Sequence, residues 1–127
     1  MTPNDLESFA QAFNRHDLDA IMAMMTGDCT FEASAGPETA GTRHIGAAAV
    51  RAAFAKTFAA FPDSRWDSAR HFVAGDRGVS EWIYRGTRAA DGARIEVAGC
   101  DIFTFRGSRI AVKNSMRKDR PPLVTAR

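Results

Sequence analysis

Asp101 is the residue of this 127-residue chain best placed to do chemistry. It stands in Val97-Ala-Gly-Cys-Asp-Ile-Phe-Thr-Phe105, where strand alternation puts Phe103 and Phe105 on its own face. A carboxylate on an apolar face is either paired or keeps its proton, because burial disfavours the charged form. A protonated Asp101 would donate a hydrogen bond as an acid or oxyanion donor, whereas one held by a Lys or Arg would be structural. Both readings stand on the residues alone.

Trp82 and Tyr84 share one face of Val79-Ser-Glu-Trp-Ile-Tyr-Arg85 and offer an indole N–H and a phenol O–H. Core packing is the plainer reading of Trp82. Tyr84, the only tyrosine, is the candidate catalytic donor beside Asp101. The last strand, Ile110-Ala-Val-Lys-Asn-Ser-Met-Arg117, reads two ways. Hydropathy alone turns Ile110, Val112 and Met116 inward. A shift by one residue turns Lys113, Ser115 and Arg117 inward instead, to pair with Asp101 or hold an anion.

His71 could act as a base near neutral pH, against the plainer reading of a hydrogen-bonded strand histidine. His16 and His44 fall at breaks and are expected to be exposed. The three histidines are scattered, and Cys29 and Cys100 lack CxxC spacing, so no metal site is expected and both thiols read as small buried residues. Neither a phosphate-binding glycine motif nor a GxSxG elbow is present, so no cofactor is expected and Ser115 has no triad partners by motif. The run Ile21-Met-Ala-Met-Met25 reads as core that could also line an adaptable pocket.

The elements that must position these residues follow from periodicity. Leu6, Phe9, Ala10 and Phe13 mark a helix over 4–14, with Asn4 and Glu7 as a capping box. Asp17 caps a second helix carrying Leu18, Ile21, Met22 and Met25, which Gly27-Asp28 stops; a short strand follows at 29–34. Residues 35–46, with three glycines and Pro37, read as loop, and 47–61 as a third helix ended by Pro62. The period then falls to two, giving strands at 65–74, 78–88, 94–106 and 109–117 joined by Gly-containing turns. Helices gathered on one side of an antiparallel sheet make an α+β fold. Residues 1–120 form one domain and 121–127 a tail.

Composition narrows the function classes. The length suits a single domain, and about two-thirds of its surface can be buried. A formal charge of +2 is weak for nucleic-acid binding. No apolar run reaches the ~20 residues of a membrane span, and the acidic N-terminus is unlike a secretory signal. A soluble, cytoplasmic protein is expected.

The layout resembles the nuclear transport factor 2-like superfamily, which includes SnoaL-like cyclases and ketosteroid isomerases. The segments carrying the resemblance are Phe13-Asn-Arg-His-Asp-Leu-Asp-Ala-Ile21, Gly27-Asp-Cys-Thr-Phe-Glu32, Gly41-Thr-Arg-His-Ile-Gly46, Gly99-Cys-Asp-Ile-Phe-Thr-Phe105 and Arg109-Ile-Ala-Val112. It implies a cone-shaped α+β barrel, three helices packed on a curved, mostly antiparallel sheet, and a homodimer formed through the outer sheet face. The isomerase base would fall on Ala33, after Phe31-Glu32, and its phenolic donor on Phe9, while its oxyanion Asp is kept as Asp101. Two of three parts are absent, which weighs against ketosteroid isomerisation by that mechanism. What the resemblance leaves is a pocket for a small apolar ligand, with Asp101 and Tyr84 catalytic and Trp82, Phe103, Lys113, Ser115, Arg117, Phe9 and Phe31 around the substrate. Proton transfer on an apolar carbonyl compound is the leading chemistry. A non-catalytic binding or interaction protein is the rival, and epoxide hydrolysis by an Asp-Arg-Asp set is a lesser one.

Overall fold

A computed structural model of the protein describes residues 1–123. Helix α1 (Pro3–Asn14) begins with a capping box two residues earlier than expected: Asp5 N–H donates to Thr2 Oγ1 at 3.1 Å and Thr2 N–H to Asp5 Oδ2 at 2.9 Å. Pro3 stands in the first turn, where its missing N–H leaves no bond unmade. Helix α2 (Leu18–Ala23) is capped by Asp17, which accepts from Ala20 N–H.

Gly27 and Asp28 do not stop α2. The helix ends earlier, and both residues lie inside strand β1 (Met25–Glu32), at an exposed stretch where pairing to the next strand is irregular. That irregularity tolerates residues that a regular strand disfavours. The expected loop contains a three-residue strand, β2 (Arg43–Ile45), too short for periodicity to reveal. Helix α3 (Ala47–Ala60) follows, and then β3 (Arg65–Ala74), β4 (Arg77–Thr87), β5 (Arg94–Arg106) and β6 (Arg109–Arg117), each within a residue of expectation. Two-residue turns with Gly75 and Gly107 leading, both at φ 61°, join β3 to β4 and β5 to β6.

The sheet order is β2-β1-β6-β5-β4-β3. Because β1 runs parallel to β6, the sheet is mixed rather than mostly antiparallel. Local pattern carries no information about the direction of a pairing between strands some eighty residues apart. α1 meets β3 and α3 meets β1, and Leu6, Phe13, Val50, Phe54, Phe105 and Ile110 belong to one apolar core between them. Of the expected tail, Leu123 donates its N–H to Arg94 O at 2.8 Å, and 124–127 lie outside the described residues.

Strand β6 resolves its two readings by satisfying half of each. Ile110 is 0% exposed and Lys113 only 5%, although strict alternation would put them on opposite faces. A bulge opposite Thr104 and Phe105 shifts the register between Ile110 and Val112. Ile110 therefore joins the core instead of facing a partner, while Lys113, Ser115 and Arg117 turn inward and Met116 outward.

Candidate functional site

Four polar residues stand in register across four strands of the inner face: His71 beside Ser80, Ser80 beside Asp101, and Asp101 beside Ser115. Asp101 is the hub. Ser115 Oγ donates to its Oδ1 at 2.5 Å, Lys113 Nζ donates to the same oxygen at 3.0 Å, and Trp82 Nε1 donates to Oδ2 at 3.0 Å. Lys113 also donates to Ser115 Oγ at 2.8 Å. Asp101 is thus a paired carboxylate with three donors, the arrangement that offsets the cost of burying its charge.

Lys113 is buried in the same sense. Its ammonium lies 4.9 Å from the ring centroids of both Phe13 and Phe31 and 5.6 Å from that of Phe54. These aromatic faces come from α1, β1 and α3, so the cation ties three elements to β6. Trp82 reaches Asp101 because its cross-strand neighbour is Gly99; a Cβ there would lie 2.5 Å from the indole ring.

Beside this cluster opens a cavity of about 440 Å³, within the range of small-molecule sites. Phe31, Phe54, Phe61, Trp66, Trp82 and Tyr84 supply apolar wall; Lys113, Ser115 and Arg117 supply polar groups. Asp101 stands behind Lys113 and Ser115, at a second void of about 20 Å³ that it shares with Phe9, Ser80 and Phe103. Of the expected site residues, Trp82, Tyr84, Lys113, Ser115, Arg117 and Phe31 line the large cavity, and Asp101, Phe9 and Phe103 line the small one.

The Arg117 guanidinium stacks 4.7 Å from the Tyr84 ring centroid, and its Nε donates to Ser34 Oγ at 3.2 Å. The Tyr84 hydroxyl is buried and has no hydrogen-bond partner among the described residues. Burial pushes its phenol above the usual value, and the Arg117 charge opposes part of that rise.

Two of the three histidines, His44 and His16, are less exposed than expected. His44 is half-buried on β2, stacks on Phe31 and lines the cavity, so it is not an exposed loop residue. His16 stacks on Phe58 with ring centroids 4.1 Å apart, and its Nε2 is 2.7 Å from Ser64 O. His71 takes the hydrogen-bonded reading: Nδ1 is 2.7 Å from Ser80 Oγ and Nε2 is 3.1 Å from Glu7 Oε2, which joins α1 to the polar row. Cys29 is buried, but Cys100 is only half-buried, because it sits on the outer face of β5. Sequence reasoning missed His44, Lys56, Phe61 and Trp66 as cavity residues, since β2 was unseen and the closure of α3 over the sheet has no local signal.

Comparison with known proteins agrees with this fold. Residues 6–113 match the SnoaL-like domain family. A candidate polyketide cyclase from Pseudomonas putida superposes with TM-score 0.80 at 20% identity, covering 94% of this chain and 92% of its own. An NTF2-like protein of unknown function from Mesorhizobium loti gives TM-score 0.73 at 28% identity, covering 91% and 89%. A protein of ketosteroid isomerase-like fold from Catenulispora acidiphila, in complex with trimethylamine, gives 0.78 at 20%, covering 91% and 85%. Sequence comparison with curated proteins finds no match.

Proposed function

The chain belongs to the SnoaL-like domain family, and from that premise we propose that it is an isomerase- or cyclase-type enzyme acting by proton transfer on a carbonyl compound with an apolar body. The observation that carries this reading is the Asp101–Ser115–Lys113 cluster at the cavity wall. Lys113 spends two N–H bonds on Asp101 and Ser115, and its third is left for a ligand oxygen. A carbonyl held there is polarised toward its enolate. Ser115 Oγ takes the proton leaving the neighbouring carbon as its own hydroxyl proton passes to Asp101 Oδ1. Returning the proton at another carbon, or closing a ring on the enolate, completes an isomerisation or cyclisation. Asp101 is then the acid/base, acting through Ser115, and Tyr84 supports Arg117 at the cavity mouth.

The wider reading has residues 1–120 as one domain, the sheet curved like a cone around the cavity, and two chains paired through their outer sheet faces. Phe72 and Met116, 50% and 47% exposed on that face, support the pairing. The trimethylamine held by the Catenulispora acidiphila neighbour supports a small-molecule pocket. No described helix is long and apolar enough to cross a membrane.

One observation favours a non-catalytic binding protein as the second reading: among the described residues, the large cavity is lined by no Asp or Glu, and Ala33 is part of its wall. The same fact weakens epoxide hydrolysis, which would need a second inward carboxylate.

A thermal-shift screen of wild type and Asp101→Asn against steroids, terpenoids, lactones, aromatic ketones and epoxides tests the proposal. A ligand at about 100 times its Kd adds about 2.7 kcal/mol, or several degrees of Tm. Ketone or lactone hits that weaken in Asp101→Asn support it. Hits indifferent to the substitution favour the binding protein.

A further inference from the structure

Charge around the large cavity is one-sided. Lys113 and Arg117 project from the same face of β6, Lys56 from α3 and His44 from β2. Among the described residues, no Asp or Glu lines this space. The Lys113 charge is countered from behind by Asp101. Neither Arg117 nor Lys56 takes part in an ion pair among the described residues.

Arg117 is also held in place. The Tyr84 ring lies under its guanidinium at 4.7 Å and Ser34 accepts its Nε–H, while its two terminal nitrogens make no hydrogen bond among the described residues. A planar fork fixed in this way suits a planar two-oxygen anion, and it loses little freedom on binding one. Elsewhere the wall is mostly aromatic and alanine, with the hydroxyls of Ser34, Thr42, Thr57 and Ser115 between them, which suits an apolar body behind the anion.

We infer that the ligand is a monocarboxylate with an apolar body, its carboxylate on the Arg117 fork at the mouth and its body against Phe31 and Phe54. The inference rests on the pocket reading above and narrows its substrate class to carbonyl compounds that also carry an acid. Lys113 takes the carbonyl oxygen and Arg117, four residues along the same strand face, takes the acid, so the two groups are separated along the molecule.

The test compares 2-naphthoate with methyl 2-naphthoate by NMR titration of wild type and Arg117→Gln. Arg117 is exposed at the strand end, so its replacement leaves the core intact. The expected result is that the acid binds wild type at least about tenfold more tightly than the ester. That advantage shrinks with added salt and disappears in Arg117→Gln, where acid and ester bind alike. Equal binding of acid and ester, or an advantage that survives in Arg117→Gln, overturns the inference alone. Binding of neither compound overturns it together with the pocket reading.

Discussion

Lys113 donates to Asp101 Oδ1 at 3.0 Å, joining two side chains that are both more than nine-tenths buried. The pair holds β5 to β6 at the place where Ser115 turns its hydroxyl toward the cavity. Charges out of water are costly singly and tolerable together, so the pair should be read as one unit.

That reading gives a double-mutant cycle. Asp101→Asn strips the counter-charge from a buried ammonium, and Lys113→Met leaves a buried carboxylate with only neutral donors. Each is expected to lower unfolding free energy by about 3–5 kcal/mol. The double variant is expected to lose less than the sum by about 1–3 kcal/mol, as measured by urea denaturation. Strict additivity would mean that the two groups do not act together.

Gly99 makes a second test independent of charge. A Cβ there would meet the Trp82 ring at 2.5 Å and Met116 O at 2.4 Å. Gly99→Ala is expected to destabilise the protein by about 1–3 kcal/mol and to displace the indole from Asp101. Near-ultraviolet circular dichroism reads the indole directly, and an unchanged spectrum would show that it does not need the space.

Tyr84, as the only tyrosine, can be titrated by its phenolate absorbance with no competing signal. Its phenol is raised above the ordinary value of about 10, first by burial, with Arg117 pulling the other way. The stability this group contributes is complete below about pH 10, where both states keep the proton. It is lost as pH rises further, because the unfolded chain ionises first. The native midpoint is expected above that of the urea-unfolded protein, and Arg117→Gln is expected to move it higher still. A native midpoint at or below the unfolded one would place Tyr84 in water.

The outer sheet face offers a test of assembly. Wild type is expected to elute at twice the chain mass in light-scattering chromatography, and Phe72→Lys with Met116→Lys is expected to give the monomer. A wild-type monomer would remove the dimer from the account.

Much of this was legible in the sequence. The four long strands keep a period near two outside their bulges, and Gly75 and Gly107 mark two of the turns between them, so their bounds could be read to within a residue. Asp101 stood out because a carboxylate between apolar neighbours demands an explanation. The rest depended on facts that no window of sequence contains. The bulge that puts Ile110 and Lys113 on one face is set by pairing with β5. The parallel β1–β6 contact and three-residue β2 arise only once distant segments meet, and with them the place of His44 in the cavity wall. The capping box moved to Thr2 because Pro3 suits the first turn, a signal present in the sequence and outweighed there by Asn4 and Glu7.

The most direct measurement is deuterium uptake by a simple ketone. 2-Tetralone, whose α-protons are acidic and whose two rings fit an aromatic wall, is incubated in D2O with the protein and followed by proton NMR. The expected result is α-exchange faster than buffer alone, lost in Ser115→Ala and Asp101→Asn and retained in Tyr84→Phe. Binding of the ketone with exchange no faster than buffer would contradict the account and leave a binding protein in its place.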